Sequence, residues 1–356
     1  MTAKKTVLIL GASYGTLLAT KLALAGHDAT LVCLPAEAEA INAGGTRVRI
    51  PVRGREGKIE VASSALPGRI AATTPDAADP AAFDLVALAM QEPQYRAPEI
   101  RALLGRVEAA GKPMMSIMNM PPLPYLARLP GVDVATIRNA SADASVWGGI
   151  SPSRMTLASP DPQAFRPDPQ DPTLLEVSLP TNFKVAAFED PAHTAILEAL
   201  AADIEAARFE HEGEAIALPV KLKVHASLYV PLAKWAMLLT GNYRCVQDDT
   251  VIPIREAVHA DPAASREVYE WVCRLCVEMG AAPEDMVPFE KYANAAQGLA
   301  KPSSAARALA AGAPAIERVD ALVQALGRAR GMSHPSVDRT VARVDAWLER
   351  NRAKAG

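Results

Sequence analysis

The run Thr6-Val7-Leu8-Ile9-Leu10 ends on Gly11-Ala12-Ser13-Tyr14-Gly15 and continues as Thr16-Leu17-Leu18-Ala19-Thr20-Lys21-Leu22-Ala23-Leu24-Ala25-Gly26 before Asp28-Ala29-Thr30-Leu31-Val32-Cys33-Leu34. It reads as strand, tight turn, helix and strand: Leu17, Leu18, Leu22 and Leu24 recur at helical spacing, and Gly26 stops the helix. Such a βαβ unit opens a parallel sheet. Further strands are expected at Thr46–Ile50, Leu85–Ala89 and Pro113–Ile117, with a helix over Ala97–Ala110. Strands and helices alternating on this spacing argue for a doubly wound α/β domain.

A glycine turn between a first strand and a helix lets backbone N–H groups and the positive end of the helix dipole face a pyrophosphate. Gly11, Ala12, Ser13, Tyr14, Gly15 and Thr16 are therefore the candidate cofactor-binding residues. The spacing is G-x-x-x-G instead of G-x-G-x-x-G, with Gly15 in the third glycine's place and the turn one residue short. The same residues satisfy G-x-S-x-G, the nucleophile elbow of a hydrolase, but that elbow belongs on a mid-chain strand with an acid and a histidine following it. At the end of the second strand an acid would bind a ribose 2′-OH and an arginine a 2′-phosphate. Cys33-Leu34-Pro35 offers neither, so the usual position does not choose between NAD and NADP.

The 356 residues are 50% apolar and 22% charged, enough for two buried cores and incompatible with a disordered chain. A net charge of −3 provides no basic field for nucleic acid. No stretch approaches the ~18 consecutive apolar residues of a membrane span, and Thr6–Leu10 is too short for a signal-peptide core. A cytoplasmic protein is expected. Cys273-Arg274-Leu275-Cys276 has the C-x-x-C form, yet a second ligand pair for zinc is missing, so buried reduced thiols and no metal are expected. Seven of the 29 prolines fall in 151–180, which reads as an extended excursion with short edge strands. A strand-helix-strand unit follows at Phe183–Phe188, His193–Ala207 and Phe209–Glu212. Beyond about 215 the pattern is almost wholly helical: 220–241, 262–279, 284–299, 303–311, 314–330 and 336–352. The expected domains are 1–214, α/β, and 215–356, all-α.

The second half carries Lys301-Pro302-Ser303-Ser304, then Gly312-Ala313-Pro314-Ala315-Ile316-Glu317, then Gly331-Met332-Ser333-His334-Pro335. With Ala260-Asp261-Pro262, Asp84-Leu85-Val86 through Gln94 and Ser116-Ile117-Met118-Asn119, this resembles the ketopantoate reductase family over most of the chain, 151–180 excepted. The resemblance implies an N-terminal Rossmann-like dinucleotide-binding domain followed by an all-α C-terminal domain for substrate and dimerisation, as in 6-phosphogluconate-dehydrogenase-like proteins. It implies NADP or NAD as cofactor, with NADP slightly favoured, a small-molecule substrate and a homodimer through the helical domain.

By the same resemblance Lys234 matches the catalytic lysine and Asn242 the second asparagine of its helix, the first being replaced by Leu238. Lys221, with His225, is a rival alignment. Asn119 matches the asparagine between cofactor and substrate, Gln94 a family glutamine, and Gln91 stands where the family has lysine. Ser304, beside Ser303, matches the serine that holds the substrate's acid group, although Pro302-Ser303-Ser304 is also good helix-capping chemistry. The family glutamate is displaced by one residue to Glu317, a rotation of about 100° if the segment is helical.

The resemblance implies an NAD(P)H-dependent reductase acting on the carbonyl of a small 2-oxo acid or related compound, or the reverse dehydrogenase. Lys234 would protonate the developing alkoxide, Asn119 and Asn242 would orient it and the carbonyl, and Ser304 would bind the carboxylate. Two other readings compete. One is an opine-dehydrogenase-like condensation of an oxo acid with an amine, using His225 with Asp248 or Asp249. The other is a cofactor-binding sensor without turnover.

Overall fold

The computed structural model describes residues 3–355. The chain forms two compact units, the first of Met1–Met90, Gln94–Met118 and Gly148–Ala226, the second of Gln91–Pro93, Asn119–Trp147 and Ser227–Gly356.

The first unit is built on an eight-stranded sheet. Its order is Leu222–His225, Phe183–Ala186, Met155–Ser159, Met114–Ile117, Leu85–Leu88, Thr6–Leu10, Asp28–Val32 and Ile70–Thr73. The last six are parallel to one another, while Phe183–Ala186 runs antiparallel to Met155–Ser159 and carries Leu222–His225 parallel to itself. Val7 through Leu10 and Leu85 through Leu88 are wholly buried, which is why these strands read as unbroken apolar runs without alternation. A second sheet, Ile59–Ala62, Arg47–Ile50, Leu174–Leu179 and Gln163–Phe165, buries one face only. There Val48 and Ile50 point inward while Arg49 reaches Glu60 across the strands at 2.8 Å.

The expected Rossmann-like sheet with a helical second half is present, with three corrections. Met155–Ser159 is an interior strand, not an edge, because Pro152 and Pro160 flank it and leave its own ladder donors intact. The division between the units falls at Ala226/Ser227 instead of 214/215, and Asn119–Trp147 joins the second unit. The reason is local: 220–225 does not begin a helix but forms Leu222–His225, where Leu222 and Val224 alternate with Lys223. Upstream, Phe209–His211 and Glu214–Ile216 close a separate hairpin on the two left-handed residues Glu212 and Gly213, at φ 51° and 81°.

The second unit is helical, with Pro262–Glu278 and Pro335–Ala355 its longest members. Asp261 caps the former, accepting from the Ala264 amide at 3.0 Å with Pro262 in the first turn. The expected single helix over 220–241 is instead a 3₁₀ turn at Val230–Ala233, a short helix Lys234–Met237 and a π-turn at Leu238–Asn242. The π-turn is closed by the Tyr243 amide donating to the Leu238 carbonyl at 2.9 Å. No described helix is long and apolar enough to cross a membrane.

Candidate active site

The first unit holds the glycine turn. Gly11 has φ 105°, and its amide donates to the Val32 carbonyl at 2.9 Å. A Cβ there would lie 2.6 Å from Met90 Cγ and 2.9 Å from the Ala89 carbonyl, so only glycine fits. The helix Ala12–Leu24 begins directly after Gly11, which accounts for the missing residue of the motif. Gly15 packs against the first strand: a Cβ would lie 2.6 Å from Ile9 Cγ2, the close helix–strand approach that a third glycine provides. Its first turn carries no acid, and Ser13 is exposed. Ala12, Ser13 and Tyr14 place N–H groups where a helix cannot satisfy them internally. This turn fits a dinucleotide pyrophosphate. The side chains of Tyr14 and Thr16 are engaged elsewhere: the Tyr14 hydroxyl donates to the Pro162 carbonyl at 2.7 Å, and Thr16 bonds back to the Ala12 carbonyl. Gln94 is exposed and belongs to this unit.

The second unit holds a polar pocket, partly open to solvent, lined by Gln91, Asn119, Leu238, Asn242, Tyr243, Ser304, Ala305, Ile316 and Glu317. Five of the candidate residues, from separate stretches of sequence, meet here. Glu317 is buried, and its carboxylate accepts from Asn119 Nδ2 at 3.1 Å and, more weakly, from the amides of Glu92 at 3.4 Å and Met120 at 3.5 Å. Burial pushes its pKa up; these three donors oppose the shift, and the nearby Glu92 carboxyl adds to it. Glu92 is itself held by the Ser141 hydroxyl at 2.6 Å and the Ala142 amide at 3.1 Å. A carboxylate can face only the NH₂ side of an amide, which sets the orientation of Asn119. Its Oδ1 is buried and has no hydrogen-bond partner among the described residues.

The expected helix 314–330 begins only at Val319, so Glu317 lies outside it, in the preceding segment, and the 100° helical rotation does not arise. Tyr243, which sequence reasoning missed, fixes that segment: its hydroxyl donates to the Glu317 carbonyl at 2.6 Å and accepts from the Val319 amide at 3.1 Å. Its neighbour Asn242 was the available signal. The widened π-turn sets Leu238, Asn242 and Tyr243 together on the pocket wall, and such turns recur at functional sites.

The two serines divide their duties. Ser303 is the N-cap of Ser304–Ala310, accepting from the Ala306 amide at 3.1 Å and donating to the Asn242 carbonyl at 2.7 Å. The capping expected of Ser304 thus falls to Ser303, and Ser304 is exposed on the pocket wall, 3.4 Å from an Arg307 nitrogen.

Lys234 is half-buried and does not line the pocket; it opens the short helix one turn before Leu238, which does. Lys221 belongs to the first unit, where its ammonium bonds the Ile204 and Glu205 carbonyls at 3.2 and 3.4 Å. His225 ends an edge strand of that unit. Asp248 and Asp249, its candidate partners, are engaged by Arg343 at 2.9 Å and Arg350 at 3.5 Å. Among the described residues there is no group of His, Cys, Asp or Glu that could hold a metal, and burial raises the thiol pKa values of Cys273 and Cys276.

Comparisons with family models and with curated proteins each find no match. Solved structures do match along nearly the whole chain. A ketopantoate reductase candidate from Ralstonia solanacearum shares 16% identity at a TM-score of 0.65, covering 98% of this chain and 99% of that one. D-mandelate dehydrogenase, solved with NADH and anilino(oxo)acetate, shares 12% at 0.63 with the same coverage. A dimeric ketopantoate reductase from Staphylococcus aureus shares 11% at 0.58, covering 97% and 99%. The chain has the fold of these proteins, and the resemblance read from its motifs holds at that level.

Proposed function

We propose that the chain is a nicotinamide-dependent oxidoreductase that reduces the carbonyl of a small 2-oxo acid, or oxidises the corresponding 2-hydroxy acid. The observation that carries this reading is the convergence of Gln91, Asn119, Asn242, Ser304 and Glu317 on one pocket. A 2-oxo acid presents only acceptors, a carboxylate and an adjacent carbonyl oxygen, and the side-chain amides of Gln91 and Asn242 and the Ser304 hydroxyl are donors suited to them. When bound, a reduced nicotinamide supplies the hydride. Ser304 holds the carboxylate, Asn242 orients the carbonyl, and Glu317 fixes the Asn119 amide. The orphaned Oδ1 of Asn119 suits a ligand hydroxyl, as the reduced product would offer.

Lys234 is assigned the proton given to the developing alkoxide, supported by its place one turn before Leu238 on the segment that carries Asn242. The mandelate dehydrogenase likeness extends the substrate class to aryl 2-oxo acids. A homodimer through the helical unit is proposed from the dimeric relative, and size-exclusion chromatography with light scattering tests it.

The test is a melting-temperature titration with NADH and NADPH, followed by oxidation of the bound cofactor across branched and aryl 2-oxo acids, with and without an amine. A ligand that binds only the native state raises the apparent Tm. Lys234→Ala should lower kcat by at least ~10²-fold, the scale of a general acid. Near-normal turnover in that variant removes Lys234 from the mechanism, an absolute amine requirement favours the opine reading, and binding without turnover favours a sensor.

A further inference from the structure

The end of the second strand carries no group for an adenosine ribose. Cys33 is a buried thiol whose pKa is pushed up to about 11, Leu34 is 72% exposed, and Pro35 opens the next helix, Pro35–Gly44. A guanidinium nevertheless stands there, brought from far along the chain. Arg166, the residue after the strand Gln163–Phe165, donates to Glu37 in the first turn of that helix, and its positive charge acts on the Cys33 thiol.

The proline-rich excursion is fastened so as to make this delivery. Tyr14 of the glycine turn donates to the Pro162 carbonyl at 2.7 Å, and its ring meets Phe183 edge-on at 5.9 Å. The strand that follows is paired to Leu174–Leu179. The Gly11 amide bonds the Val32 carbonyl at 2.9 Å, so the turn and the second strand's end are joined directly. Segment 162–166 therefore runs from the pyrophosphate cradle to the place where the ribose of a dinucleotide would lie.

We propose that Arg166, presented by this excursion, is the residue that selects the adenosine ribose, and that it selects a 2′-phosphate. The inference rests on the dinucleotide reading of the glycine turn. Two acids face the guanidinium. Glu37 takes one Nη and holds the fork in place; Asp171 acts on it at longer range and is already bonded to Arg47 at 2.6 Å. Arg166 is 25% exposed and Glu37 14%, so the pair is shielded enough for its charge to count while N–H groups still reach solvent. A guanidinium has five donors in a planar fork, of which one carboxylate uses only part, and a phosphate takes the remainder bidentately.

Calorimetric titration of the full-length protein with NADP⁺ and NAD⁺, without substrate, tests this apart from activity. The wild type should bind NADP⁺ at least ~10-fold more tightly, the scale of one charged hydrogen bond. Arg166→Met should weaken NADP⁺ by ~10–100-fold and leave NAD⁺ within ~3-fold, with Arg166→Lys between them. If the methionine variant does not fold, the lysine variant and the salt dependence of the wild-type ratio decide the matter. Binding of either dinucleotide with an unchanged ratio in a folded Arg166 variant overturns the role of Arg166 alone. A wild-type NAD⁺ preference abolished by Glu37→Gln overturns it in favour of Glu37. No binding of either dinucleotide overturns the nicotinamide reading and this inference together.

Discussion

Asn119 Nδ2 donates to Glu317 Oε2 at 3.1 Å, closing a bond between residues 198 positions apart and placing a buried carboxyl in a polar pocket. Burial raises the pKa of that carboxyl, so the folded state binds its proton more tightly than the unfolded chain does. Stability from this group is fully present below the unfolded value near ~4.3 and is lost as pH rises through the folded value. Glu317→Gln removes the ionisation while keeping an acceptor for Asn119. The variant should therefore gain stability relative to wild type as pH is raised from 5 to 8. Urea unfolding of both proteins at three pH values measures the difference, and a constant difference refutes the assignment.

Ser303 and Ser304 are adjacent and chemically identical, yet one is buried in a cap and the other exposed on the pocket. Ser303→Ala removes the N-cap and leaves the Asn242 carbonyl without its 2.7 Å donor, a loss of about 1–2 kcal/mol. Ser304→Ala should change stability by less than ~0.5 kcal/mol, as an exposed substitution does. In turnover the order reverses in kind: Ser304→Ala should raise KM for the oxo acid, since one lost bond to a charged group is worth about 1.5–3 kcal/mol. Equal effects of the two variants on Tm would show that the duties are not divided.

The strand, turn and helix at the N-terminus were legible because apolar runs and a forced glycine leave a local signature. Glu317 was legible as a candidate but not in its placement. Pro314 looks like a first helical residue, and nothing local reveals that Arg318 is drawn instead to Asp320 and Asp345, at 2.9 and 2.6 Å, with the helix delayed to Val319. Met155–Ser159 was hidden by the prolines on either side, which read as disruption when they are boundaries. Tyr243 and Arg166 were invisible for another reason: each acts on groups more than seventy residues distant in sequence, Glu317 and Glu37, and no local pattern encodes such a partner.

Two glycines in helices of the first unit should respond oppositely to alanine. Gly15 faces the first strand, where a Cβ would lie 2.6 Å from Ile9 Cγ2 with a strand on the other side of the contact. Overpacking of this kind costs about 1–3 kcal/mol, so Gly15→Ala should destabilise and should also weaken dinucleotide binding by moving the turn. Gly105, in Pro98–Ala109, has no atom within 4 Å of such a Cβ, so Gly105→Ala should stabilise by about 0.5–1 kcal/mol. Thermal unfolding of the two variants side by side checks the contrast, and a stabilised Gly15→Ala would contradict the packing of helix on strand.

Lys21 is 2% exposed inside the first unit, and its ammonium donates to the Leu218 carbonyl at 3.2 Å and the Pro219 carbonyl at 2.9 Å. Desolvation, with the charge of Lys221, lowers its pKa to about 7, against an unfolded value near ~10.4. Between those values the unfolded chain binds the proton and the folded protein does not, so this group's contribution to stability rises with pH from about 7 to about 10. Lys21→Met abolishes that dependence and strands two carbonyls, each at a cost of about 1–3 kcal/mol that does not vary with pH. The destabilisation caused by Lys21→Met should therefore grow as pH is raised from 7 to 10, opposite in direction to the loss that Glu317 imposes at its own lower range. Denaturant unfolding of wild type and variant across that interval measures it, and a gap that stays constant with pH would show that the lysine stays charged in the folded protein.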